Sequence, residues 1–95
     1  METKEEYQRK FEAQVKEWNT LLYLLAAKME NAGADVKHLY TQELIVVGAK
    51  QRDAVKKIKE LEKASDDVWD TIKVSAHKAG YDLGTSVAQA IIKFK

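Results

Sequence analysis

Ninety-five residues bound the chain to a single domain, 1–95. A monomer of that size buries only about two thirds of its unfolded surface, so marginal stability or self-association follows. Proline and cysteine are absent, which excludes a disulfide framework, a thiolate metal site and a thiol nucleophile, and 33% of the residues are charged, the composition of long helices. Sixteen basic residues face fifteen acidic ones, interspersed along the chain for a net charge of +1, which argues against nucleic-acid binding through counterion release.

The opening Met1-Glu2-Thr3-Lys4-Glu5-Glu6 lacks the basic and apolar regions of a signal peptide, and no apolar run reaches the roughly 18 residues needed to span a bilayer. A cytoplasmic location is the expectation. Thr3 and Glu6 have the spacing of a capping box, so helix 1 is expected over about 4–32. Within it Phe11, Val15, Trp18, Leu22, Leu25 and Met29 recur at alternating steps of four and three, a coiled-coil seam. Glu6 with Lys10 and Glu12 with Lys16 offer acid-to-base pairs one turn apart on the outside.

A polar break at Asn31-Ala32-Gly33-Ala34-Asp35 supplies both a stop and a start: Gly33 suits the left-handed end of one helix and Asp35 the cap of the next. The turn 31–35 therefore predicts an antiparallel helical hairpin in which residues 21–27 face residues 40–46. Helix 2 carries the seam Tyr40, Leu44, Val47, Gln51, Ala54, Ile58 and Leu61, with Asp53 and Lys57 as a further pair. The runs Leu21–Ala27 and Leu44–Ala49 are apolar around the whole helix circumference, more than one partner helix can cover, and together they make a belt. The belt reads either as core or as a surface for self-association or a partner. Gly48, inside the helix at a cost near 1 kcal/mol relative to Ala, points to a neighbour that needs the room.

The seam continues in phase through Ser65, Val68 and Ile72, while Ser65-Asp66-Asp67 would also start a new helix. Two architectures compete. A long helix 2 over about 36–79 leaves everything after Val68 without an intrachain partner and calls for another chain, whereas a bend at Ser65 gives the near-equal segments of a three-helix bundle. The unbroken phase favours the long helix. His77-Lys78-Ala79-Gly80 then reads as its end, and Gly84-Thr85-Ser86 as the restart of a C-terminal helix over about 85–95 with the stripe Leu83, Val87, Ile91 and Phe94. That stripe either packs on the bundle or docks on a membrane surface. Gly80 and Gly84 form a GxxxG pair, a pattern common by chance outside an apolar span.

Chemistry is sparse. His38 and His77 belong to no metal-binding pair, no nucleotide or nucleophile motif occurs, and the carboxylates alternate with lysines on helix faces. No catalytic, metal or cofactor residue is expected. Trp18 and Trp69 are apolar anchors for a core or an interface.

Lys4-Glu5-Glu6-Tyr7, Gln14-Val15-Lys16-Glu17-Trp18-Asn19, Gln51-Arg52-Asp53-Ala54, Leu61-Glu62-Lys63-Ala64-Ser65, Val68-Trp69 and the ending Asp82-Leu83-Gly84 through Lys93-Phe94-Lys95 resemble a family of small bacterial coiled-coil proteins of uncharacterised function. The resemblance spans almost the whole chain. It implies a helical hairpin with a helical C-terminal extension and no activity, cofactor or catalytic residue. The belt departs from the family pattern, which is rich in Lys, Glu and Ala there.

The expected fold is thus all-α, a hairpin with a long second helix and a C-terminal amphipathic helix, oligomerising into a bundle. The expected function is non-enzymatic: a structural or interaction protein that self-associates or serves as an accessory subunit of a larger assembly. The alternative is a peripheral binder of membrane or other apolar surfaces. Candidate interaction residues are Trp18, Leu21, Tyr23, Leu24, Ile45, Val46, Val68, Trp69, Ile72, Leu83, Val87, Ile91 and Phe94.

Overall fold

Thr3 sets the first helix. Its backbone is extended, and its side-chain oxygen accepts the Glu6 amide at 3.1 Å, filling one of the donors a helix start leaves open. The computed structural model describes residues 2–95, so Met1, which the single-domain assignment includes, lies outside them. Among the described residues the chain forms three α-helices and no strand: α1 Lys4–Met29, α2 Ala34–Lys63 and α3 Trp69–Lys93, each packed against the other two. The result is a rod with extents of 51 × 18 × 17 Å.

The connection after α1 is tighter than the sequence predicts. The helix ends at Met29, and the Glu30 and Ala32 amides close its last turn onto Ala27 and Met29. Gly33 is not left-handed: at φ −67° and ψ 164° it is the extended N-cap of α2, and Asp35 sits inside the first turn, where its charge complements the helix dipole.

The long helix 2 over 36–79 is not what forms. Ala64 turns extended at ψ 129°, its amide still bonded to Leu61, and the Ser65 hydroxyl donates to the Asp67 carboxylate at 2.5 Å. The Val68 amide bonds the Ser65 carbonyl, and α3 starts at Trp69. The heptad phase carried no penalty against this bend, and burial rewards it. Folding α3 back places Ala76, Ala79, Leu83, Val87, Ala90 and Phe94 in the core, where a straight helix would have left them without a partner.

Gly80 and Gly84 do not end or start a helix either; both lie within α3. They make a flat on its surface into which two aromatic rings of α1 settle. A Cβ at Gly84 would come within 2.5 Å of the Trp18 ring, and one at Gly80 within 3.1 Å of the Phe11 ring. Tyr7 extends the row, stacked beside Phe11 at 6.3 Å and edge-on to Trp69 at 6.0 Å. At the opposite end of the rod Tyr40 meets Phe94 edge-on at 5.6 Å. Gly48, by contrast, has no close neighbour: a Cβ there would meet only the Arg52 guanidinium, at 3.5 Å.

Charge tethers the ends. Lys4 pairs with Asp66 and so ties the start of α1 to the α2–α3 connection; Lys93 pairs with Glu43 at 3.2 Å. Lys10 bonds Glu2 at 2.6 Å, and Lys57 bonds Glu60 at 3.2 Å, in place of the Glu6 and Asp53 partners that helical spacing predicts. The Lys4 ammonium holds the Asp66 carboxyl below its ordinary value of 3.8, and the Ser65 hydroxyl does the same for Asp67.

Two outcomes follow. Gly84→Ala gains about 1 kcal/mol of helix propensity but drives a methyl into a rigid indole, an overpacking cost of about 1–3 kcal/mol, so urea denaturation should show a net loss of stability. Gly80→Ala should lose less. For Asp66, a carboxyl pKa depressed by folding contributes stability above its unfolded value and loses it as the pH falls through its folded one. The melting temperature of Asp66→Asn should therefore lie below that of the wild type at neutral pH, by a small amount for so exposed a pair, and the gap should close as the pH drops below 3.8.

Candidate interaction surface

Helix geometry lets each element hide one stripe, and the three stripes meet in a common core: Phe11, Val15, Leu22, Leu25 and Met29 from α1, Val47, Ala54 and Leu61 from α2, and the small-residue face of α3. The predicted seams of helices 1 and 2 are therefore the faces turned inward, with Leu44 at the margin, 37% exposed.

The C-terminal stripe is part of this core and not a docking face. Leu83 and Val87 are fully enclosed, Phe94 is buried under Tyr40, and Ile91 packs against the core from its edge. The physical reason is phase: with α3 continuous through both glycines, Leu83, Val87 and Phe94 share a face with Ala76, Ala79 and Ala90. Trp18, Leu21, Trp69 and Ile72 are likewise partly buried against the core. Val68 is exposed at the connection.

The belt divides. Leu22 and Leu25 turn inward, while Tyr23, Leu24, Ile45 and Val46 turn out, with exposures of 79, 64, 69 and 51%. Tyr23 lines an open groove between α1 and α2 with Leu22, Ala26, Tyr40 and Leu44, floored towards one end by a Gln51 amide donating to Asn19 at 2.8 Å. Leu24 lies on the other flank of α1, in a groove with Leu21, Ile91 and Phe94. The outward residues thus lie on more than one flank of the rod, towards the end where Tyr40 meets Phe94, instead of forming one flat patch. Leu39 lies two turns before Val46 on α2 and is half exposed; the polar residues around it hide its place in the same band from a reading of the sequence.

A third groove, about 340 Å³ between α1 and α3, is lined by Tyr7, Phe11, Trp18 and Tyr81 with Lys10 and His77 at its rim. Gly80 forms part of its wall, and a reading that ends helix 2 at Gly80 could not place it. Among the described residues no three His, Cys, Asp or Glu side chains converge to hold a metal ion, and His38 contacts only Gln42, at 3.3 Å. Burial raises the Tyr7 and Tyr40 hydroxyls above the usual tyrosine range, with the Glu2 charge adding to the effect at Tyr7. Among the described residues no helix is long and apolar enough to cross a membrane.

Leu83→Ala tests the assignment of the C-terminal stripe to the core. It should cost about 2–5 kcal/mol in urea denaturation, the range for a fully buried leucine; a surface docking residue would cost almost nothing.

The geometry stands without a relative beside it: no family model matches the chain, and neither a curated protein nor a solved structure matches it.

Proposed function

We propose that this chain is a non-enzymatic helical interaction protein, self-associating or acting as a small accessory subunit of a larger assembly through its apolar belt. The observation that carries this reading is the outward placement of Tyr23, Leu24, Ile45 and Val46 on helices whose cores are already filled by other residues. Large aliphatic and aromatic side chains grouped on an exposed surface favour a protein partner, because burying each one contributes about 1.5–3 kcal/mol. Its resemblance to small bacterial coiled-coil proteins points the same way, since it implies a scaffold and no chemistry. On this reading α1 and α2 serve as the hairpin of such a scaffold and α3 as the third helix of a bundle.

Replacing Leu24 and Ile45 together by Lys separates surface from core. Both side chains are more than half exposed, so circular dichroism should show the helix content retained. Association, followed by sedimentation velocity for the chain alone and by co-purification of the native complex from source cells, should be lost. A double variant that unfolds, or one that still associates as the wild type does, would remove the belt as the binding surface.

A further inference from the structure

The core stripes of α2 and α3 lie in one phase. Leu61, Ser65, Val68, Ile72, Ala76 and Ala79 follow one another at steps of four and three, the spacing of a single helix face, although the chain leaves the helix at Ala64 and re-enters it at Trp69. A bend frees the second helix to take any rotation, so the fold does not require the shared phase. Leu61, Ala76 and Ala79 are buried and Ile72 packs against the core, whereas Ser65 and Val68 are exposed. The bend strands two positions of a stripe that is otherwise covered.

The bend is also poorly terminated. Ala64, not a left-handed glycine, closes α2, and α3 starts after Val68 with no side-chain cap. What holds the link is the Ser65 hydroxyl bond to Asp67, the Val68 amide bond to the Ser65 carbonyl and the Lys4–Asp66 pair, with residues 65–67 all exposed. Residues 64–68 contain neither proline nor glycine, so nothing in the link bars it from the helix that its neighbours on both sides already form.

We infer that a second copy of the chain completes the bundle as well as the chain's own α3 does: two copies folding together exchange α3, and in each the segment 34–93 straightens into one helix. This goes beyond the belt reading and does not rest on it. Glu43 near the start of α2 pairs with Lys93 at the end of α3, so the two helices run antiparallel in the bundle. Two straightened helices therefore lie antiparallel about a twofold axis at the link, each α3 in the cradle formed by α1 and α2 of the other copy. Trp18 then seats on Gly84 across copies, and every contact of the closed rod away from the link is kept. At the axis Ser65 and Val68 face their own counterparts, so the exchange covers the two stripe positions that the bend leaves open. The amides of the link regain helical partners as well.

The balance is set by concentration, because the exchanged form differs from two closed rods only at the link and in holding two chains together. Leu83 and Val87 are fully enclosed, so α3 leaves its place only when the bundle opens. Exchange therefore takes place during folding, and closed rods brought together without unfolding stay closed.

Isotope-labelled and unlabelled wild-type chains, mixed in urea and refolded together at the highest soluble concentration, test this. Gel filtration should separate a dimer that persists on dilution. A carbodiimide joins Lys93 to Glu43, and peptide mass spectrometry of that dimer should find the joined pair drawn from one labelled and one unlabelled chain. Native rods mixed at the same concentration should give same-label pairs alone. Ser65→Pro should refold to the closed rod only, since Ala64 already has the extended backbone, ψ 129°, that a following proline requires and a straight helix cannot accept the ring. Changing Ser65, Asp66 and Asp67 together to Ala removes the side-chain bonds of the bend and favours helix, and should raise the ratio of exchanged dimer to monomer about tenfold. Mixed-label pairs absent from the refolded wild type, or equally frequent in native mixtures, would overturn the exchange. A ratio that the triple alanine change leaves unmoved would overturn the straightened link, and so decides the matter even if Ser65→Pro does not fold. None of these outcomes bears on the belt, which the Leu24 and Ile45 lysine variant tests in chains that have not been unfolded.

Discussion

The seating of Trp18 on Gly84 and Phe11 on Gly80 is the constraint from which the rest of the fold follows. Two flat aromatic faces of α1 seat on a helix surface stripped of side chains, while α3 packs most closely on α2 and buries Ala76, Ala79 and Ala90 in the core. The seating fixes the rotation of α3 about its own axis. Once the glycine face is turned to α1, Leu83 and Val87 fall into the centre and Phe94 reaches Tyr40 of α2. The bend at Ala64–Val68 is the consequence: only by reversing there does α3 arrive alongside the aromatic row of α1.

Signals in the sequence are legible where they act locally. The Thr3 cap, the α1 stripe from Phe11 to Met29 and the inward face of α2 at Val47, Ala54 and Leu61 all depend on residues within a turn or two of one another, and each stands where periodicity puts it. The misreadings share a cause. Gly80 looks like a helix end because nothing nearby in sequence explains a glycine there; its reason is Phe11, some seventy residues earlier, on another helix. The heptad phase through Ser65 and Ile72 looks like one continuous helix because phase records which side of a helix is apolar and not whether a partner stands there. Gly33 kept an ordinary backbone because the next helix used it as a cap before the last one needed it as a stop.

For the candidate surface the same division holds. An apolar run on all sides, Leu21 to Ala27, announces that some of it will remain outside a small fold, and Tyr23 and Leu24 do. Which members turn outward depends on the three-way packing, and so Leu83, Val87 and Phe94, which the sequence offers either to the bundle or to a docking face, belong to the core. The small residues of α3 make this possible and limit it. A core built partly from alanine and glycine is thin, and large side chains such as Tyr23, Leu24 and Ile45 stay outside it.

Small-angle X-ray scattering over a dilution series tests the central claim, that a complete rod carries an exposed band which a lateral contact covers. The account predicts a radius of gyration near 15.3 Å at high dilution and, on concentration, a thicker cross-section with a maximum dimension still close to that of one rod. A particle that doubles in length, or whose thin cross-section persists at every concentration and in the native complex, would contradict it.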